Sequence, residues 1–251
     1  MAKKKKSSAK RALSPTLFKL TGSSAKLKTN GKKKKLYYFK QKVAPEKAKK
    51  LAADTAAEVL EAPKETVKIG APSLKHDFYC IYDAEVAMKY LSVRNQEIGV
   101  YDQLMGAMVG KEVVMPKKGK DVPGKAIFVE LVEMYETKNT ASHILDGTTG
   151  FPAKTLETLL KGAGKSTATS AWLAKAKVSP GKFNSIEKVV KAISRDASKA
   201  PKDAKRIVEH TLTFKELSGF YVPTYYVTAS VGNKSKTLRI NAVNGNVALK
   251  V

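Results

Sequence analysis

Stretches of helical periodicity and of strand periodicity follow one another along this chain, separated by short polar or glycine-containing breaks. In "APEKAKKLAADTAAEVLEAP", Ala48, Leu51, Ala52, Thr55, Val59 and Leu60 recur at i, i+3, i+4 and i+7, the spacing of one face of an amphipathic helix. Pro45 suits the first turn of that helix and Pro63 its exit. "HDFYCIYDAEVAMKYLSVRNQEIGVYD" is rich in aromatic and β-branched residues and reads as two strands, a hairpin being one way to join them. "KEVVMPK" adds a short strand, "PKKGKDVPGK" (116–125) a basic loop, and "AIFVELVEMYE" and "ASHIL" two further strands before a turn at "DGTTG".

Residues 150–162 then read as a helix, and 163–184 as a connector with a short helix around Trp172. "NSIEKVVKAISRDASK" is helical, with Asn184 at the N-cap and Glu187 three residues on. "APKDAKRIVEHTLTFKEL" gives a second helical pattern through Ala204, Ile207, Val208 and Leu212. "FYVPTYYVTASV", "KTLRINA" and "NVALKV" close the chain as three strands with turns at "GNK" and "VNG".

The two halves repeat. "APEKAKK" (44–50) matches "APKDAKR" (200–206), and "IYDAEV" (81–86) resembles "YVTASV" (226–231). "HILDGTTGF" (143–151) matches "LRINAVNGN" (238–246), with Asp146 opposite Asn241 and Gly150 opposite Gly245. The expected fold is therefore α+β. A disordered basic tail (1–36) precedes a first module (37–150), a helical connector (151–183) and a second module (184–251), each module a helix laid on a small antiparallel sheet.

The last run, "VPTYYVTASVGNKSKTLRINAVNGNVALKV", resembles the PepSY-type module, in which a helix packs on a hairpin closing on hydrophobic-Arg-Ile-Asp-x-x-x-Gly-x-Val. The likeness covers 205–251 with its core at 238–247, and Asn241 stands where the family usually carries Asp. It implies protein-contact or scaffold duty. PepSY modules are mostly extracellular or membrane-tied, and a Lys-rich tail on such modules also looks like small archaeal proteins.

Charge changes the picture more than hydropathy does. Lys and Arg number 47 against 22 Asp and Glu, a net charge of +25. Lys3, Lys4, Lys5, Lys6, Lys10, Arg11, Lys19, Lys26, Lys28, Lys32, Lys33, Lys34, Lys35 and Lys40 all precede the first acid, Glu46. Such a run favours a polyanion: RNA, DNA or an anionic membrane surface. Low apolar content leaves the run disordered when alone, apart from "SPTLFKL", which suits docking on a partner or on the chain's own body. Tyr37 and Tyr38, with Phe39, follow Lys32–Lys35 directly; they suit stacking on unpaired bases or burial in a first strand. Lys117, Lys118, Lys120, Lys125, Lys234, Lys236 and Arg239 extend the basic surface.

Catalytic chemistry is hard to find. "KGAGKST" (161–167) ends like a phosphate-binding loop, but Leu159 stands where the first glycine belongs, and a helix rather than a strand precedes it. Asp83 and Glu85 share a strand face and read as its wet side. His143 is expected at a sheet interior or edge and His210 on a solvated helix face, while Trp172 reads as a core anchor. One cysteine, Cys80, and three scattered histidines give no zinc spacing and no intramolecular disulfide. No apolar segment suits a signal peptide or a transmembrane helix. The expectation is a cytoplasmic, non-enzymatic protein with no metal and no cofactor. Its basic arm clamps nucleic acid, RNA in a ribonucleoprotein before DNA. The alternative is a protein-interaction or membrane-surface scaffold built on the PepSY-like modules.

Overall fold

The computed structural model describes residues 13–31 and 34–250. In chain order the strands and helices are β1 (Lys28–Gly31), β2 (Lys35–Phe39), α1 (Pro45–Leu60), β3 (Lys68–Ile69), β4 (Ser73–Val100), β5 (Ala107–Val109), β6 (Glu112–Val114), β7 (Lys117–Lys118), β8 (Lys125–Asp146), α2 (Glu157–Lys161), β9 (Lys165–Thr167), α3 (Ser170–Lys175), α4 (Ile186–Ala197), β10 (Ala204–Val231), β11 (Lys234–Asn241) and β12 (Val247–Leu249). The protein is α+β, with a large, mostly antiparallel sheet in which β12, β11, β10, β4, β8 and β7 are successive neighbours. The chain divides into a larger unit (Thr29–Glu85, Thr140–Ala197, Leu212–Val251) and a smaller one (13–28, Val86–Asn139, Ser198–Thr211).

The larger unit holds two apolar cores. In the first, α1 turns Ala48, Ala52, Ala56 and Leu60 toward Tyr225, Val227, Leu238 and Ile240 of the β10–β11 hairpin. Alanines at a four-residue spacing let the helix backbone lie close to the sheet. The fully buried Val227, Leu238 and Ile240 each contribute roughly 1.5–3 kcal/mol of apolar transfer. In the second core, Leu160 of α2 joins Phe39, Tyr79, Ile81, Ile144, Phe220 and Val222.

The repeat is visible in its turns. Asp146 Oδ1 accepts from the Thr148 and Thr149 N–H (2.7 and 3.4 Å), and Gly150 N–H donates to Asp146 O at 2.7 Å. Asn241 Oδ1 accepts from the Val243 and Asn244 N–H (2.9 and 3.4 Å), and Gly245 N–H donates to Asn241 O at 2.8 Å. Gly150 and Gly245 take φ of +80° and +81°, a left-handed conformation that glycine adopts without cost. Asp and Asn serve alike here because each supplies one acceptor oxygen to the turn.

Other expectations are corrected. "APKDAKRIVEHTLTFKEL" is not helical but opens β10. Its true period is two, with His210, Leu212 and Phe214 buried in alternation and Thr211 and Thr213 between them. APEKAKK and APKDAKR therefore match in sequence without matching in conformation. The two strands expected across 76–102 are one strand, β4, and those expected across 126–145 are one strand, β8. No glycine or proline interrupts either run before Gly99. The helix expected over 150–162 shrinks to a 3₁₀ turn (Lys154–Leu156) and α2. The Ala153 N–H donates to Ile144 O at 2.8 Å and Pro152 bridges Leu145, which ties this segment to the end of β8. Helix α4 is capped by Ser185, whose Oγ accepts from the Lys188 N–H at 3.5 Å, one residue beyond Asn184.

In the smaller unit, Arg94 grips Glu133 Oε1 with two donors (3.0 and 2.7 Å), Lys89 pairs with Glu209 at 2.8 Å, and Tyr90 stacks on Tyr135 at 5.4 Å. β5 and β6 form a two-stranded sheet of their own.

Candidate polyanion-binding surface

Lys3, Lys4, Lys5, Lys6, Lys10, Arg11, Lys32 and Lys33 lie outside the described residues. Within the span expected to be a tail, residues 13–31 are laid against the body. Ser14 caps a single 3₁₀ turn (Pro15–Phe18). Beyond it, the Ala25 N–H donates to Ile207 O at 2.8 Å, the Ile207 N–H to Ser24 Oγ at 3.1 Å, and an Arg206 guanidinium N–H to Lys19 O. β1 pairs with β10. Phe18, Leu20, Ala25 and Leu27 are half-buried, while Lys19 and Lys26 between them, and Lys28 after them, are exposed. The alternation follows from extended backbone, which sends successive side chains to opposite faces. Apolar side chains anchor the segment and leave the ammonium groups in water. None of Lys19, Lys26, Lys28 and Lys35 forms an ion pair among the described residues.

Lys34 differs, because its ammonium lies 3.2 Å from Glu187 in the first turn of α4. Tyr37 and Tyr38 lie on β2, which runs parallel to Ser218–Tyr221 of β10 and antiparallel to β9. Tyr37 stacks on Phe220 at 5.4 Å and Tyr38 on Trp172 at 4.4 Å. Each ring has one face covered from within the chain, and Phe39 is only 2% exposed. Trp172 also approaches Tyr221 and, edge-on, His76, so it sits at the centre of an aromatic cluster.

The phosphate-loop likeness dissolves in the geometry. The Lys165 ammonium donates to the carbonyls of Leu160, Lys161 and Gly162 at 3.2, 3.1 and 2.8 Å. All three of its protons thus satisfy the carbonyl end of α2. Residues 165–167 themselves form strand β9 rather than a helix start.

Arg239, expected on the basic surface, is buried. Its Nη2 and Nε reach Asp77 Oδ2 at 2.6 and 3.1 Å, its Nη1 reaches Asp146 Oδ2 at 3.2 Å, and Nη2 also reaches the Tyr79 hydroxyl at 3.1 Å. The Tyr226 hydroxyl donates to Asp77 Oδ1 at 2.6 Å. Position 239 shares a face of β11 with Thr237 and Asn241, so alternation alone left its surroundings open. Asp77, fully buried, decides them. Burial by itself would lower the Arg239 pKa, but the Asp77 charge, with Tyr79 and Asp146 behind it, carries it above the ordinary guanidinium range. Burial, followed by the Asp77 charge, pushes the Tyr226 phenol up to about 12. Lys234 and Lys236 remain exposed.

In the basic loop, Glu97 accepts from the backbone N–H of Lys120, Asp121 and Val122 (2.6, 3.1 and 3.4 Å), which fixes its shape. Desolvation works to raise the Glu97 pKa, but these N–H groups outweigh it and hold the carboxyl below its usual value. Lys125 is tied to Asp102 O, while Lys117, Lys118 and Lys120 are exposed. The remaining titratable groups have structural surroundings. Glu85 pairs with Lys215 at 2.7 Å. His210 is buried on β10 rather than solvated, and His143 is exposed beside Tyr82 rather than interior. Cys80 is buried, and that burial pushes its thiol up to about 12. Among the described residues no group of three or more His, Cys, Asp or Glu is placed to hold a metal ion, and no helix is long and apolar enough to cross a membrane. No family model matches the chain, and neither a curated protein nor a solved structure does.

Proposed function

We propose that this chain is a non-enzymatic polyanion-binding protein whose lysine-rich arm contacts nucleic acid, RNA in a ribonucleoprotein before DNA. The observation that carries the reading is the arm's pattern: half-buried apolar anchors with the exposed, unpaired Lys19 and Lys26 between them and Lys28 directly after the last. Holding the backbone still lowers the conformational entropy lost when the lysines engage phosphates. Binding then rests on release of counterions and carries no base sequence. Lys34, already paired with Glu187, is the weakest contributor among the described cations of the arm. Tyr37 and Tyr38 brace β2, each with one ring face stacked on Phe220 or Trp172.

Support for a non-catalytic role is that the side chains with the most suggestive chemistry are committed elsewhere: Lys165 to a helix end, Arg239 to two carboxylates, Glu85 to Lys215. The test compares the full chain with a Lys19→Gln/Lys26→Gln/Lys28→Gln variant for binding to single-stranded RNA and duplex DNA. Since these side chains are exposed, the variant keeps its fold. A several-fold weaker affinity for nucleic acid supports the reading; equal affinity refutes it.

A further inference from the structure

Among the described residues the β5–β6 hairpin pairs with no strand but itself. Met108 lies opposite Val113 and Ala107 opposite Val114. Residues two apart share a face, so Met108, Val113 and Met115 belong to one side. The close fit of Gly106 confirms it, since a Cβ there would lie 3.4 Å from both Met115 Sδ and Val113 Cγ1. That side is bare: Met108 is 75%, Val113 69% and Met115 60% exposed. Val114, on the other side, is half-buried. Contiguous exposed methionine and valine at this density mark an interaction surface rather than ordinary scatter.

The charges select the occupant. Lys111, in the hairpin turn, and Lys117, two residues after Met115, flank this strip along the chain, and both are exposed without an ion pair among the described residues. Glu112 steps to the opposite side, across from Val109. A groove of about 560 Å³ adjoins the hairpin, walled by Met115 and Phe128 and rimmed by Lys117, Lys118 and Lys120. An apolar strip ended by lysines, over a groove that joins apolar walls to an ammonium rim, matches the layers of an anionic bilayer surface. The methionines and valine reach the acyl boundary while lysine stems extend their charges to the phosphates. Lying flat, the hairpin keeps its unpaired edge groups at the hydrated headgroup level, where they need no protein partner.

We propose that this face of the β5–β6 hairpin docks the protein on anionic phospholipid bilayers, independently of the arm. The test uses the full chain carrying Met108→Cys labelled with an environment-sensitive fluorophore; Cys80 is fully buried, so the label goes to position 108. Vesicles of phosphatidylcholine with phosphatidylserine are expected to shift the emission to the blue and raise its intensity, and phosphatidylcholine alone to do so far less. Met108→Asp/Met115→Asp is expected to weaken vesicle binding about tenfold or more while leaving RNA binding unchanged. Sedimentation with the vesicles while the label stays in water would mean that the arm alone meets the lipid, which overturns the proposal and leaves the nucleic-acid reading intact. Absence of vesicle binding at low salt overturns it equally.

Discussion

Replacing Arg239 by leucine removes the cation that pairs with a fully buried carboxylate, Asp77, for which no other ion-pair partner is found among the described residues. Asp77 is fully buried, and in the native protein its two oxygens are occupied by Arg239 and by the Tyr226 hydroxyl. In the variant only the tyrosine hydroxyl remains, and Asp146 loses its ion pair as well. Stranding one partner of a buried pair costs roughly 3–5 kcal/mol, largely the uncompensated charge rather than the lost attraction. A second variant separates the two: Asp77→Leu/Arg239→Leu removes both charges and is expected to recover at least about half of that loss. Trp172, the only tryptophan, lies in the same unit and reports unfolding in urea by its fluorescence. A loss below about 1 kcal/mol for Arg239→Leu, or a double variant worse than the single one, would refute this reasoning.

Lys165→Ala is expected to leave ATP binding at background and to cost about 0.5–1 kcal/mol in the same urea assay, because it uncovers the carbonyl end of α2; a measurable loss of ATP affinity would restore the phosphate-loop reading. Gly150→Ala and Gly245→Ala are each expected to cost about 1 kcal/mol or more from their left-handed backbone, whereas Gly99→Ala, with an ordinary φ and its nearest neighbour 3.7 Å from the new Cβ, stays within about 0.5 kcal/mol. Burial and the Asp77 charge favour the neutral form of Tyr226 in the fold, so its contribution is whole below the unfolded phenol pKa of about 10 and is lost as the pH rises through about 12. Tyr226→Phe should flatten that alkaline decline in stability while weakening the protein by about 1 kcal/mol at neutral pH.

Much of the fold was legible where period and punctuation agreed. Helix α1 combines four-residue alanine spacing with Pro45 and Pro63, and the turns at 146–150 and 241–245 pair an Asx acceptor with a glycine four residues on. In β10, Ala204, Ile207, Val208 and Leu212 fit a helical period by coincidence, and the β-branched Thr211 and Thr213 carry the better signal. Periodicity also does not join β4 and β8 into single long strands, since polar residues such as 137–140 resemble a break until a partner strand supplies their backbone hydrogen bonds. At the candidate surface, the excess of lysine was plain, but its placement was not. Which lysines stay free depends on acids distant in sequence: Glu187 holds Lys34, and Asp77 and Asp146 take Arg239 inward. The bare face of the β5–β6 hairpin had no sequence signal beyond its short alternation, because only the absence of a covering element makes it unusual.

The most direct test of the central claim is the affinity of the full chain for single-stranded RNA across a salt series. A steep linear fall of log affinity with log salt is expected, each phosphate contact adding about 0.7 to the slope, so that neutralising Lys19, Lys26 and Lys28 together lowers the slope by about 2. A shallow slope, or a steep one that the three substitutions leave unchanged, would contradict that claim.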